Sequence, residues 1–184
     1  MPSGRTHDRI TLWLFPAVIG IAAGCTRSVI LTTIVSVTYL IGGFMLGPDL
    51  DIHSVQYRRW GLLRWIWLPY QKAIPHRSHL SHGPFVGTAL RVVYLSVWLA
   101  LFSLISIEVI NAIWDIQITW QALRQPFRNL LRKYLIEWAA VLVGLEAGAI
   151  SHSLSDYVGS YLVKQRSCRK RSKRKTHRKK RRRS

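Results

Sequence analysis

Long apolar runs alternate with shorter polar stretches along this chain of 184 residues. The apolar runs cover residues 10–25, 29–46, 83–110 and 138–161. A helix that crosses a bilayer needs about 20 mostly apolar residues, and each run reaches about that length with its flanks. Only residues 26–28 separate the first two runs, which predicts a helical hairpin. The pattern predicts an all-α fold, a four-helix transmembrane bundle with helical connectors at the membrane surface.

Two polar stretches between the runs have the composition of a membrane surface. Residues 51–82 mix tryptophan and tyrosine with arginine and lysine, as segments at headgroup level do. Across residues 111–133, apolar side chains recur at three- and four-residue steps opposite basic ones. This spacing predicts an amphipathic helix that Pro126 kinks or starts. A basic and aromatic surface for nucleic acid is the alternative interpretation of residues 51–82.

The basic residues are concentrated at the C-terminus. Residues 164–184 hold fourteen of the 27 lysines and arginines and no acid, in a chain of net charge +19. A segment so charged and so poor in apolar residues is expected to be disordered and to attract anionic lipid headgroups, or nucleic acid only nonspecifically. The sequence therefore predicts a membrane-embedded domain over residues 1–163 and a disordered basic tail over residues 164–184.

Four crossings would place both termini on one side of the membrane, and the basic residues predict which side. That side would carry 21 lysines and arginines and the opposite side five, with Arg91 inside the third run. The positive-inside rule then predicts a multi-pass protein with both termini in the cytoplasm. The alternative for the first run alone is a cleaved signal peptide, because Arg5 and Arg9 precede it and residues 22–25 loosely resemble a lipoprotein cleavage site.

Four short motifs carry residues that bind metals, and all four would lie at the same membrane face. The densest is Pro75–His82, with three histidines in seven residues; the others contain one histidine with one aspartate, or two aspartates. Only two cysteines occur, Cys25 and Cys168, so any metal would be held by nitrogen and oxygen. The predicted ligands are His7, Asp8, Asp49, Asp51, His76, His82, His152 and Asp156.

Such a donor set suits a divalent ion, with zinc preferred and manganese or iron as alternatives. Eight ligands exceed the four that one zinc takes, so two or more ions are expected. One hypothesis is a metal-dependent hydrolase of phosphoesters or lipid headgroups, with Asp49 or Asp51 as general base and Arg77 stabilising the anionic transition state. The alternative is a non-catalytic protein that binds, stores or transfers metal.

Two charged residues fall deeper within the apolar runs. Arg91 lies nine residues after His82, and Glu146 lies ten residues before Asp156. At 1.5 Å per helical residue both would sit roughly 14 to 15 Å from the metal site, which predicts an ion pair between them. The alternative is that Arg91 extends back toward the headgroups.

The order S-G-x-x-H-D, G-P-D-L-D, H-R-S-x-x-S-H and H-x-L-S-D resembles an uncharacterised family of metal-binding integral membrane proteins, over essentially Pro2 to Tyr161. The chain is more distantly similar to bacterial inner-membrane metal-dependent hydrolases, which carry an H-R-x-x-T-H type motif. Both resemblances imply the eight ligands named above. This chain departs from the distant motif, because its spacing is one residue longer and His79 occupies a position that the pattern leaves open.

Overall fold

The computed structural model describes the backbone of residues 4–76, 78–115 and 117–181. Its α-helices are α1 (Gly4–Thr26), α2 (Val29–Phe44), α3 (Val55–Arg59), α4 (Leu68–Ala73), α5 (His79–His82), α6 (Val86–Trp114), α7 (Trp120–Lys133) and α8 (Leu135–Arg181). Short 3-10 helices cover Pro48–Asp51 and Gly61–Trp67. No strand occurs among these residues, which confirms the all-α prediction.

The first two helices form the tight connection that the apolar pattern predicts. Arg27 leaves the helical conformation with a positive φ of 49°. Ser28 then caps α2, because its side chain accepts a hydrogen bond from the backbone N–H of Leu31. The reversal lets α1 and α2 pack side by side against α8.

Glycines bring α2 and α8 unusually close together. A Cβ added at Gly148 would lie 2.3 Å from the Tyr39 carbonyl oxygen, and one added at Gly42 would lie 2.4 Å from the Leu145 carbonyl oxygen. Helices whose contact faces carry such small residues can bring their backbones together. The end of α2 therefore lies beside the part of α8 that carries His152 and Asp156.

The connector between α2 and α6 folds into its own apolar cluster. Leu50, Tyr57, Trp67, Tyr70 and Ile74 are buried against one another. Burial raises the pKa of the Tyr70 hydroxyl. Other connector side chains stay at the surface, with Leu62 94% exposed. Leu50 belongs both to this cluster and to the Pro48–Asp51 turn. The cluster therefore holds the turn in place, and with it the two aspartates of the turn.

Four segments are long and apolar enough to cross a membrane, namely Thr6–Thr26, Val29–Asp51, Val86–Trp114 and Leu135–Gly159. Much of their apolar surface faces outward; Leu99 on α6 is 67% exposed and Val143 on α8 is 59% exposed. The predicted amphipathic segment forms α7, which has no buried residue and contains Pro126 within it. Basic residues Arg132 and Lys133 lie in its last turn.

The basic C-terminal segment belongs to the last helix as far as Arg181, and its disorder stays a prediction. Helix α8 continues without a break from Leu135 to Arg181, through most of the basic residues. Lysine and arginine are good helix formers individually, and no glycine or proline follows Gly159 to interrupt the helix.

Candidate metal centre

Five of the predicted ligands form a continuous chain of alternating imidazoles and carboxylates. Asp156 lies between two rings, with Oδ1 3.3 Å from His7 Nε2 and Oδ2 4.0 Å from His152 Nε2. Asp49 lies between the next two, with Oδ2 3.2 Å from His152 Nε2 and Oδ1 3.7 Å from His82 Nε2. These side chains come from α1, the Pro48–Asp51 turn, α5 and α8.

Within this chain, two groups of three residues have ligand atoms close enough to share an ion. One consists of His7, His152 and Asp156, and the other of Asp49, His82 and Asp156; in each group the ligand atoms lie within 4.8 Å of one another. Asp156 belongs to both groups. The arrangement therefore has room for one ion, or for two ions that share a carboxylate.

The hydrogen bonds of His7 leave its Nε2 free to bind a cation. Ser155 Oγ donates a hydrogen bond to the His152 carbonyl oxygen over 2.9 Å, so it accepts one from His7 Nδ1–H. His7 Nε2 lies 3.3 Å from Asp156 Oδ1, so either a proton on Nε2 or a bound ion can join the two atoms.

A serine hydroxyl also orients His82, which lies at the opposite end of the chain of ligands from His7. Ser81 Oγ donates to Asp51 Oδ2 over 2.5 Å and accepts from His82 Nδ1–H over 3.1 Å. His82 Nε2 is buried and has no hydrogen-bond partner among the described residues. This nitrogen faces Asp49, which fits a ligand of a divalent ion.

His152 occupies the middle of the chain and stacks on His7, with ring centroids 4.1 Å apart. The Gln56 amide nitrogen donates to the Gly43 carbonyl oxygen over 2.8 Å, and the same amide lies 3.2 Å from His152 Nδ1. His152 Nε2 is buried, lies 3.2 Å from Asp49 Oδ2 and has no hydrogen-bond partner among the described residues. A neutral His152 that binds an ion through Nε2 carries its ring proton on Nδ1, next to the Gln56 amide.

The remaining predicted ligands have other partners. Asp51 is fully buried, and it accepts hydrogen bonds from His76 Nδ1–H over 3.0 Å and from Ser81 Oγ. It therefore orients His76 directly and His82 through Ser81. The His76 ring lies 5.5 Å from the His82 ring, at the edge of the centre. Asp8 pairs with Arg59 over 2.5 Å. Arg77 and the side chain of His79 lie outside the described residues.

The predicted ion pair between Arg91 and Glu146 is not formed. Within the described residues no contact of 4.0 Å or less joins their charged groups; Arg91 instead donates to the Ser81 carbonyl oxygen over 3.0 Å and to Thr88 Oγ1 over 3.1 Å. Glu146 Oε1 accepts from the Phe85 backbone N–H over 2.9 Å. The long arginine side chain reaches back toward α5, where carbonyl and hydroxyl oxygens offer nearer partners, yet it stays buried.

Three supporting residues were absent from the predicted site. Ser81 and Ser155 each precede a predicted ligand in sequence, so a hydroxyl beside a candidate ligand was the available signal. Gln56 lies in the connector and no spacing links it to His152, 96 positions away. Only the fold brings that amide to the ring.

Comparisons with known proteins agree with a metal centre. The family described as "Uncharacterized metal-binding protein (DUF2227)" matches residues 2–166. An "Uncharacterized protein" of Aquifex aeolicus (strain VF5) is 43% identical over 58 residues, which cover 31% of this chain and 40% of that relative. No solved structure matches the chain. The expected likeness to membrane hydrolases has no counterpart in these matches. Because the family covers nearly all of the chain outside its basic end, the protein belongs to the DUF2227 family of uncharacterized metal-binding proteins.

Proposed function

We propose that this protein spans the membrane four times and holds one or more divalent metal ions where α1 begins and α2 ends. The observation that carries the proposal is the chain of imidazoles and carboxylates, in which two groups of three residues each bring their ligand atoms within 4.8 Å of one another. Four segments of the chain contribute to it. An arrangement of this kind costs free energy unless a cation offsets it.

The residues that hold the ion are His7, His152 and Asp156, with Asp49 and His82 completing the set on the opposite side. Asp51 and Ser155 orient three of the rings, as partners of metal-bound histidines do. Imidazole with carboxylate favours zinc, and manganese or iron fit the same donors less selectively.

Metal analysis of the protein purified in detergent tests this proposal. We expect about one ion or more per chain in the wild type and a loss of most of it in His152→Ala. His53→Ala is the matched control, because the His53 side chain is exposed and packs edge-on against Tyr57 outside the centre. Equal metal content in wild type and His152→Ala would contradict the proposal.

The membrane orientation is tested with the two cysteines of the chain. Cys25 is exposed near the α1–α2 connection, and Cys168 belongs to the basic segment. With both termini in the cytoplasm, a membrane-impermeant maleimide added to intact cells labels the Cys168→Ser protein, which keeps Cys25. It leaves the Cys25→Ser protein unlabelled until the cells are opened. The reverse pattern would invert the orientation, and labelling of both would argue against four crossings.

The basic segment is proposed to contact anionic headgroups. Each lysine or arginine near an anionic surface contributes about 1 kcal/mol, and the attraction weakens with salt. A peptide of residues 164–184 should bind vesicles that contain anionic lipid, release at high salt, and ignore neutral vesicles. Binding to neutral vesicles at high salt would rule out an electrostatic contact.

Hydrolysis of phosphoesters or lipid headgroups is the second candidate function. It is favoured by a cavity of about 270 Å³ that has His82 in its wall, so a substrate has space next to the proposed ligands. A bound ion supplies a Lewis acid and a water of lowered pKa. Asp49, whose side chain is 22% exposed, is then better placed as general base than the fully buried Asp51. Arg77 keeps its proposed role at the transition state.

Turnover distinguishes the two candidates once metal is established. The metal-loaded wild type and His152→Ala are compared on a soluble phosphodiester and on phospholipid vesicles, with released alcohol as the readout. Turnover that is lost in His152→Ala supports the hydrolase. Absence of turnover on both substrates by a metal-loaded protein supports metal binding, storage or transfer.

A further inference from the structure

Helix α7 contributes nothing to the metal centre, yet it is strongly amphipathic. It covers Trp120–Lys133, and all 14 of its residues are exposed. Its apolar side chains recur at three- and four-residue steps, so they share one face, which extends to the residue after the helix: Trp120, Leu123, Phe127, Leu130, Leu131 and Tyr134. The described residues leave this face uncovered. A contiguous apolar surface of this kind marks a site of contact with another molecule or with a membrane.

The other side of α7 is polar and basic. The helix carries four bases and no acid: Arg124, Arg128, Arg132 and Lys133. None of the four forms an ion pair with an acidic side chain in the described part of the chain. Arg128 donates a hydrogen bond to Gln125 over 2.7 Å, along the polar side. A partner that complements α7 therefore offers apolar material to one side of the helix and negative charge next to it.

Pro126 indicates that the polar side of α7 is in contact with water. Proline has no backbone N–H, so the carbonyl of Ala122, four residues earlier, lacks its helical donor. Ala122 lies three residues before Gln125 and seven before Asn129, so it belongs to the polar side. Water or a headgroup can hydrate the carbonyl there, whereas burial would leave it without a donor. The helix therefore suits a boundary between an apolar and an aqueous phase.

The position of α7 in the chain places that boundary at one end of the candidate membrane spans. Helix α6 ends at Trp114, shortly before α7, and α8 begins at Leu135, shortly after it. Both helices contain a candidate span. His152 follows Leu135 by 17 residues on α8, which is about 26 Å along the helix axis. Because a hydrocarbon core is about 30 Å thick, α7 and the metal centre would lie at opposite faces of one bilayer.

We propose that α7 lies in the plane of the membrane on the face opposite the metal centre, with its apolar side among acyl chains and its bases at the headgroups of anionic phospholipids. The inference rests on the four crossings of the proposed function and is independent of the metal. Helices with one apolar face and one basic face bind membranes in this way. The contact is distinct from that of residues 164–184, which belong to the other face.

A second copy of this chain complements α7 less well than an anionic membrane does. Two α7 helices in contact through their apolar sides would bring the unpaired bases of both copies together, and like charges repel. Anionic headgroups offer these bases opposite charge, and acyl chains cover the apolar side at the same time. Charge complementarity therefore favours the lipid surface.

Quenching by brominated acyl chains tests how α7 is placed in the membrane. The full-length protein with Cys25→Ser and Cys168→Ser receives one new cysteine, carries a fluorophore there, and is reconstituted into phospholipid vesicles. Phe127→Cys reports the middle of the apolar side, and Asn129→Cys, two residues further on the polar side, is the matched control. The label at residue 127 should be quenched about threefold or more as strongly as the label at residue 129. Equal quenching at the two positions, or stronger quenching at residue 129, would overturn the inference.

The preference for anionic lipid is measured at the same label with brominated phosphatidylglycerol and brominated phosphatidylcholine, at equal mole fractions in mixed vesicles. The anionic quencher should be about twofold or more as effective at residue 127, and the difference should shrink with salt. Replacing the four bases of α7 by glutamine, which keeps a good helix former, should bring the ratio to about one. The variant Arg58→Gln, Arg64→Gln, Lys72→Gln removes exposed connector bases and is the control that keeps the ratio. A wild-type ratio of one, or a preference that survives without the α7 bases, would refute anionic binding.

A label within α6 separates this inference from the proposed function. Leu99 is 67% exposed on a candidate span, so a label on Leu99→Cys lies in hydrocarbon if the chain crosses the membrane. Quenching at residue 99 without quenching at residue 127 would overturn this inference and leave the crossings intact. Quenching at residue 127 alone would refute the crossings and support lipid contact by α7. If labels at residue 127 of different chains quenched each other even at high lipid dilution, a second copy would cover the face and the inference would be wrong.

Discussion

We expect the substitution Gly148→Ala to move the ligands of the metal centre apart, because it disturbs the packing of α2 against α8. The added Cβ would meet the Tyr39 carbonyl oxygen at 2.3 Å and the Gly43 nitrogen at 2.6 Å, whereas ordinary contact begins at 3.4 Å. Both obstacles are backbone atoms, which cannot rotate away. The two helices must therefore separate by about 1 Å at this level.

The size of the effect follows from that displacement. Forcing a methyl group into a close-packed contact typically costs about 1–3 kcal/mol of stability. His152 lies one helical turn beyond Gly148, and its Nε2 is only 3.2 Å from Asp49 Oδ2 across the same interface. Metal–ligand distances tolerate about 0.2 Å, so a separation near 1 Å should weaken metal binding by about tenfold or more.

Thermal unfolding followed by circular dichroism and competition with a fluorescent chelator measure the two effects. Gly20→Ala is the matched control, because a Cβ at Gly20 on α1 meets nothing within 4 Å. That variant should be neutral, or more stable by up to about 1 kcal/mol through helix propensity. If Gly148→Ala kept the unfolding temperature and metal affinity of Gly20→Ala, the argument that glycine contact positions the ligands would be refuted.

Three further substitutions separate ligands from their supports. Ser155→Ala removes the acceptor that holds the His7 ring proton on Nδ1, and metal affinity measured by chelator competition should fall about 10- to 100-fold. Asp51→Asn weakens the acceptor of the Ser81 hydroxyl, which orients His82, and should lower affinity within the same range; unchanged affinity would mean that Asp51 only stabilises the fold. Asp8→Asn should leave metal content unchanged in elemental analysis, because this carboxylate is engaged in a surface ion pair, which contributes about 0–1 kcal/mol. Loss of metal in that variant would return Asp8 to the ligand set.

The predicted ligands show how much of a metal site can be predicted from the spacing of residues along the sequence. The sequence predicts His7 and His82 at the start of an apolar run and Asp49 and His152 at the end of one, all at the same membrane face. The structure brings their side chains together. The order and lengths of the apolar runs are enough to predict the helix end at which each of these residues lies. Asp8 follows His7 directly yet turns to Arg59, because adjacent helical residues point about 100° apart.

The paired aspartates also show that spacing does not determine the direction in which a side chain points, even within one turn. Asp49 and Asp51 are two residues apart, and their spacing predicts a common centre. In the 3-10 turn they face different sides, so Asp49 meets His82 and His152, whereas Asp51 is buried behind His76 and Ser81. Their roles depend on which histidine each carboxylate can reach, and the connector cluster decides that by fixing the turn.

Several features of this protein followed from its sequence by itself: helices throughout, four apolar segments long enough to span a bilayer, and histidines and aspartates gathered at one end of them. These depend on local composition and on the 1.5 Å rise of a helix, which the order of residues determines. Tertiary structure alone decided that Ser81, Ser155 and Gln56 support the rings, and that Arg91 and Glu146 share a cavity without touching each other. Such pairings depend on how each helix is rotated about its axis and on how closely the glycines let backbones approach, and neither quantity is encoded in any single segment.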